Sequence, residues 1–253
     1  MFDFALLRKP RFFALCLIPV ALAFSFVALL VYLPIYLTAA YDFDSGVVGW
    51  IMVIMTVPVV LFPILAGQLL ARGATAPRLL AVSMLLVGAG AGALLIIDPD
   101  IPIAALAPGL LMIGAGMGMS AGILDGAAVG SVPPERAGTA AGMFNTSRLA
   151  GETIGVAVIG TVLVGLVQNK LRAADALQGQ SATEAANQVL GGNIAEFAGG
   201  DQMLTNVLAD AFTASLHVVL VGMMVIAVTT AVITLALMRG DSQAESIEAE
   251  NIR

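Results

Sequence analysis

Long apolar runs separated by short polar clusters set the pattern of this chain. Residues 12–41, 45–71, 79–97 and 101–124 carry no Asp, Glu, Lys or Arg, and further runs follow beyond 137 and beyond 211. A helix needs about 20 residues to cross roughly 30 Å of hydrocarbon, so runs of this length predict membrane spans rather than buried core segments. The expected fold class is an all-α membrane protein with six transmembrane helices near 12–38, 47–71, 79–97, 102–131, 138–167 and 211–238. Pro19, Pro34, Pro58, Pro63 and Pro108 fall inside these runs and predict kinks, which membrane helices tolerate when neighbours re-satisfy the freed carbonyls.

The polar stretches divide the rest. Residues 1–11 form a lead-in with Arg8, Lys9 and Arg11. It resembles the charged start of a signal peptide, but the apolar run behind it is too long for one, so the first span is kept and 12–167 hold spans one to five. Residues 168–210 are rich in Ala, Gln, Asn and Gly, and Gly191-Gly192 and Gly199-Gly200 break them into an expected cap of short helices. Span six covers 211–238, and the acidic tail 239–253, lacking an apolar stripe, is expected to be disordered.

Composition sharpens the class. Of 253 residues, 59% are hydrophobic and only 11% charged, far from the balance of a water-facing globule. The mean hydropathy of +0.99 agrees. One cysteine, Cys16, and one histidine, His217, exclude a disulfide framework and a structural zinc site, and no cofactor or metal is expected. The formal charge of −6 comes from segments outside the spans, and no nucleic-acid partner is expected from it.

Lys and Arg in short loops stay on the cytoplasmic side of a membrane. Arg8, Lys9, Arg11, Arg72, Arg78, Arg136 and Arg239 all fall on one side of a six-span layout, and Asp42, Asp44, Asp98 and Asp100 on the other. Both termini and the 72–78 and 132–137 loops are therefore expected in the cytoplasm, with the 168–210 loop outside and the cell membrane as the location.

Ionisable side chains inside spans are costly and usually face a cavity or a partner. Asp125 lies near the cytoplasmic end of span four, where a latch to a cytoplasmic arginine is the favoured reading over proton transfer. Arg148 and Glu152 lie four residues apart on span five, at depths of roughly 15 and 21 Å from Gly138 along a helix rising about 1.5 Å per residue. They share a helical face. Two readings stay open for them: an ion pair that only neutralises both charges, and a substrate or proton site. His217, about two turns into span six, reads as a hydrogen-bonding group at the rim rather than a proton shuttle.

Span four also carries Gly114, Gly118, Gly122, Gly126 and Gly130, each four residues from the next. Such a ladder lets a neighbouring helix approach closely. Gly138/Gly142 and Gly151/Gly155 on span five and Gly88/Gly92 on span three repeat the device. Two other patterns are chance matches. Gly118-Met119-Ser120-Ala121-Gly122 has the spacing of a nucleophile elbow, but that motif needs a strand turning into a helix and a partner histidine and acid. Asn145-Thr146-Ser147 has the form of a glycosylation sequon but lies within span five. No span carries a credible nucleophile, base and oxyanion arrangement, so no enzyme is expected.

Gly67-Gln-Leu-Leu-Ala-Arg72 followed by Pro77-Arg78-Leu-Leu resembles the second copy of the loop motif of the major facilitator superfamily. Residues 132–163, reading VPPERAGTAAGMFNTSRLAGETIGVAVIGTVL, are similar to the penultimate span and its preceding loop in that superfamily's fourteen-span drug:proton antiporter branch. The start FDFALLRKPRFF and the long loop before LADAFTASLHVVL resemble that branch too. The resemblance, running from about residue 2 to 238, implies two inverted three-helix repeats forming the carboxy-terminal half of a transporter. It further implies a substrate and proton cavity holding Glu152 and Arg148, proton-coupled export of amphipathic or cationic small molecules as in multidrug efflux, and a latch between Asp125 and Arg72, or else Arg78. Ala71 departs from the motif, which has Asp there, and Glu152 stands where a small residue is usual. A second six-span half is implied as partner, whether a separate chain, an amino-terminal region or a second copy. The alternative is a non-transporting remnant or a regulatory subunit that binds a membrane partner.

Overall fold

The computed structural model describes residues 10–130, 132–174 and 181–251. The lead-in up to residue 9 lies outside them. Among the described residues six helical segments are long and apolar enough to cross a membrane: Phe12–Tyr41, Ser45–Ala71, Ala76–Ile96, Ile103–Ala128, Pro134–Ala173 and Gln202–Leu237. The protein is a multi-pass, all-helical membrane protein.

The first span is composite. Helix α1 (Pro10–Leu22) passes through a π-helical turn, Ala23–Val27, into α2 (Ala28–Tyr41). In the turn the backbone N–H of Ala28 donates to Ala23 O, five residues back rather than four. Spans two and three are α3 (Ser45–Ala71) and α4 (Ala76–Ala93). They are joined by a tight turn at Gly73, whose φ of 94° would be strained for any side chain. Spans four and five are α5 (Ala107–Gly130) and α6 (Ala137–Ala174). Pro108 sits in the first turn of α5, not in its interior, where its missing N–H breaks no helical bond; no kink is needed there. Pro19, Pro34, Pro58 and Pro63 lie inside helices.

The polar stretch between spans five and six is more helical than its composition predicts. Helix α6 continues to Ala174, α7 (Ala182–Leu190) and α8 (Ile194–Ala198) follow, and α9 (Gln202–Asn251) begins eight residues or more before the expected sixth span. Gly192, Gly199 and Gly200 supply the positive-φ turns between them, at 82°, 59° and 89°. The tail, expected to be disordered, continues α9 as helix through Asn251. Its Gln, Ala and Glu residues are good helix formers, and extending an existing helix needs no new nucleus.

Span four is clasped between spans two and three, while span six packs on spans three, one and five, and span one on span five. Small residues make these approaches possible. A Cβ added to Gly114 would lie 2.0 Å from Met55 O, one at Gly118 2.7 Å from Pro58 O, and one at Gly122 2.8 Å from Pro63 Cα. On the other face of α5, Gly116 would bring a Cβ 2.5 Å from Ser83 O, and Gly109 and Gly90 each abut the other's carbonyl. Between these glycines Ser83 and Ser120 share a buried hydroxyl hydrogen bond of 2.6 Å. The serine of the elbow-like sequence is thus a helix-packing group. The ladder stops there: Gly126 and Gly130, expected to continue it, have open space where a Cβ would project.

Two cores result. At the end of the bundle near Asp42 and Asp98, Leu33, Tyr36, Leu37, Leu163 and Phe212 pack with Ala185, Val189 and Ile194 of the short helices. Tyr36 shares a 2.8 Å hydrogen bond with Thr213, and Tyr41 donates to the carbonyl of Asp98. At the end near Arg72 and Arg78, Phe12, Leu15, Ile18, Leu80, Met84 and Phe144 form the second core.

Candidate functional site

Glycines in span five place the site. A Cβ at Gly151 would sit 3.1 Å from Val20 Cγ2 and one at Gly155 3.1 Å from the Ala23 carbonyl carbon, so α6 lies against the π-helical part of span one. One turn further along, Gly160 leaves room for Tyr32, whose hydroxyl donates to Val156 O at 3.0 Å. These seats fix the rotation of α6 and turn Glu152 and Arg148 toward span four rather than away from the bundle.

There, spans one, four and five enclose a small cleft of about 60 Å³. Pro19, Leu22 and Ala23 form one wall, Leu124 and Asp125 a second, and Phe144, Arg148 and Glu152 the third. Arg148 and Glu152 are half-buried and Asp125 is exposed, so the cleft opens on one side.

The three charges share a cleft but do not pair. Arg148 donates through Nη2 to the Oδ1 of Asn145 at 2.9 Å, a neutral partner one turn back on its own helix. Its Nε is buried and has no hydrogen-bond partner. Among the described residues no hydrogen bond or ion pair joins Arg148 to Glu152 or to Asp125. The sequence expectation that Arg148 and Glu152 share a face holds in this structure, and the reading of that pair as mutual neutralisation does not.

Asp125 is placed differently from the latch reading. It lines the cleft with Arg148 and Glu152, and no hydrogen bond or ion pair connects it to Arg72 or Arg78, both exposed around the 72–78 turn. His217 is half-buried and its Nε2 lies 2.8 Å from Ile97 O, tying span six to the end of span three in the rim role read for it. Tyr32 and Asn145 were missed as site-positioning residues. A tyrosine and an asparagine inside otherwise apolar spans were the available signal.

A second, larger cleft of about 590 Å³ lies at the opposite end, bordered by Asp42, Asp98, Asp100 and Asp210 with Asn206 and Gln202. It is polar and shares no lining residue with the first. Among the described residues no group of three or more His, Cys, Asp or Glu could hold a metal ion.

Comparison with known proteins decides the family. The family model of the Major Facilitator Superfamily matches residues 2–156, which include every cleft residue from Pro19 to Glu152. The chain belongs to that superfamily. Its bundle superposes on a bacterial homolog of the human lysosomal transporter Spinster with a TM-score of 0.65, covering 94% of this chain and 50% of that one at 18% identity, which establishes the shared fold. Among curated proteins, it is 27% identical over 166 residues to Multidrug resistance protein 3 of Bacillus subtilis, covering 65% of this chain and 32% of that protein. It is 37% identical over 106 residues to Puromycin resistance protein pur8 of Streptomyces alboniger, covering 40% and 21%, respectively. Against the Probable actinorhodin transporter of Streptomyces coelicolor it is 40% identical over 68 residues, covering 27% and 12%. The chain thus spans half of the solved structure it matches and at most 32% of these curated relatives.

Proposed function

We propose that this chain is the carboxy-terminal half of a secondary transporter that exports amphipathic or cationic small molecules against proton entry. The observation that carries the reading is the cleft between spans one, four and five, where Asp125, Arg148 and Glu152 open together inside a major facilitator bundle. Charged groups at this depth are costly unless they face a pathway, and two carboxylates beside one guanidinium suit a site that trades protons for cations. The names of the curated relatives, which speak of multidrug and puromycin resistance, support efflux as the direction. Six spans build one wall of such a cavity, and alternating access needs a second body for that wall to rock against. The partner is therefore a second six-span half, with both termini of this chain and the 72–78 turn in the cytoplasm of a bacterial cell. No enzymatic step is assigned.

The test is reconstitution. The purified chain in proton-loaded vesicles is expected to show no proton-driven efflux of an amphipathic cation such as ethidium, and co-reconstitution with a matching amino-terminal half to restore it. In that assembly Glu152→Gln is expected to abolish the dependence of flux on the proton gradient. Flux from the monomeric chain alone sinks the half-transporter reading; flux from a crosslinked pair of copies moves the partner assignment to a homodimer. Unchanged pH dependence in Glu152→Gln removes the coupling role.

A further inference from the structure

Span one changes character half-way. Its second part, α2, is tied by tyrosines to spans five and six and to the end of span three. Tyr32 donates to Val156 O at 3.0 Å, Tyr36 shares a 2.8 Å bond with Thr213, and Tyr41 donates to the carbonyl of Asp98. From Phe12 to Leu22, α1 instead presents apolar side chains and one thiol, that of Cys16, which meets the Ser147 hydroxyl. The two parts also belong to different cores: Phe12, Leu15, Ile18 and Leu22 to the one near Arg72, Phe26, Leu29 and Leu33 to the one near Asp42. The border falls on the π-helical turn Ala23–Val27, and Ala23, fully buried, belongs to neither core. A π-turn holds one residue more than an α-turn, and helices that bend sharply do so at such turns or at proline. Pro19, one turn earlier, adds a second weak point, because it has no N–H for the carbonyl of Leu15. Ser25 donates through Oγ to Ala21 O at 3.0 Å, so the turn's one polar side chain is bonded within the span and ties it to no neighbour.

Where this joint touches span five it meets glycine. Val20 lies over Gly151 and Ala23 over Gly155, so no side chain of span five interlocks with span one at these two seats. Pro19 and Leu22 of α1, with Ala23 at the joint, form one wall of the cleft that Asp125, Arg148 and Glu152 line. We propose that α1 is a movable wall: it swings about the Ala23–Val27 turn, over the glycine seats of span five, while α2 stays fixed, and the cleft widens as it moves away. The asymmetry of the bonds sets which part moves. Hydrogen bonds hold α2 in a medium that offers no replacement for them, whereas apolar side chains leave a neighbouring helix for lipid tails at little cost. The amplitude follows from the lever. Phe13 stands ten residues before Ala23, an arm of about 15 Å at 1.5 Å per residue, so a bend of about 20° carries it about 5 Å. The purpose of the motion, admitting a substrate to the cleft, rests on the proposed transport role; the motion itself does not.

The experiment uses the full chain in nanodiscs. Nitroxides carried on p-acetylphenylalanine report pair distances by double electron–electron resonance, at Phe13 with Ile64 for α1 and at Leu30 with Trp50 for α2, four exposed positions. The lock is a disulfide. A Cβ at Gly151 would lie 3.5 Å from Val20 Cβ, within disulfide range, so Val20→Cys with Gly151→Cys in a Cys16→Ser background pins α1 to span five. The pair at 13 and 64 is expected to show two distances about 5 Å apart, which merge into one when the lock is oxidised and return when a phosphine reduces it. The pair at 30 and 50 is expected to keep one distance throughout. Deletion of Phe24 is a second route that needs no disulfide: it removes the extra residue of the turn, makes span one a continuous α-helix and is expected to leave one distance at 13 and 64. Thermal unfolding identifies which variants are folded. A single distance at 13 and 64 in the unlocked chain, two distances that survive the oxidised lock or the deletion, or an equal spread in the α2 pair overturns the proposal. No readout here uses flux. A swinging α1 in a chain that supports no efflux with a matching amino-terminal half sinks the transport reading alone, and efflux with a rigid α1 sinks the joint alone.

Discussion

Two stretches of small residues, alike in sequence, end in opposite structural states. Gly114, Gly118 and Gly122 press α5 onto the backbone of α3 so closely that a methyl group would overlap it. Gly126 and Gly130 continue the four-residue spacing, Gly138 and Gly142 repeat it at the start of span five, and a methyl group on any of them meets nothing within 4 Å. The difference lies in what stands opposite. Span two runs along α5 from Gly114 to Gly122, and its prolines 58 and 63 present flat, donor-free backbone to the glycines. Beyond Gly122 nothing of span two comes within 4 Å of a methyl group on Gly126 or Gly130, and α5 lines the cleft that holds Asp125. Glycine spacing therefore marks where a helix can approach, and the partner's path decides where one does.

Substitutions can break this comparison, and the largest effect belongs to Gly114→Ala. Its Cβ would lie 2.0 Å from Met55 O, backbone that cannot rotate away. Overpacking of this kind costs about 1–3 kcal/mol or more, so the folded fraction of the chain in detergent, read by unfolding in SDS, is expected to collapse. A stable Gly114→Ala chain would show that α3 and α5 are not in this contact.

The buried serine pair sharpens the packed side. Ser83→Ala leaves the Ser120 hydroxyl without its partner, Ser120→Ala leaves Ser83 with only its bond to Leu80 O, and the double variant removes both hydroxyls. The single changes are expected to destabilise by about 1 kcal/mol and the double change by less than their sum. Strict additivity in the cycle would mean the two hydroxyls do not meet.

Gly126→Ala and Gly142→Ala probe the open side, and the sign reverses. With open space for the methyl group, the helix gains about 0.5–1 kcal/mol per site from alanine's smaller entropy loss. Both variants are expected to unfold later than the parent chain. If a second half covers this face in the assembled transporter, Gly142→Leu is expected to spare the isolated chain and impair assembly, as measured by co-purification.

The smallest expected effect concerns Asp125 and Arg72. Because the acid lines the cleft and pairs with no arginine of the 72–78 turn, a cycle of Asp125→Asn and Arg72→Gln is expected to give a coupling below about 0.5 kcal/mol. A larger coupling would restore the latch.

Much of the fold was legible because the bilayer constrains it so tightly. Every backbone polar group must be satisfied within its own segment, so an uncharged run such as 45–71 has one option, and Ser45–Ala71 is one helix. The short helices and the tail were less legible. In water, composition only biases a segment, and Ala185, Val189 and Ile194 are ordered by burial against Leu33 and Phe212, contacts far apart in the chain. Within the site, Arg148 and Glu152 sharing a face followed from spacing alone. That Arg148 bonds Asn145 and not Glu152 was not legible from the spacing, which places both within reach.

By itself, then, the sequence determined six apolar spans and the positions along spans four and five at which the charges fall. Each follows from local properties: run length, the cost of charge in hydrocarbon, and rise per residue. Only the tertiary structure decided which glycines are contacts, and that Asp125 joins the cleft of Arg148 and Glu152 instead of the 72–78 turn. It did so because the seats of Gly151 and Gly155 on span one fix the rotation of span five, which brings Arg148 and Glu152 to the cleft that Asp125 lines. Helix rotation is set by packing between distant segments, and no local pattern encodes it.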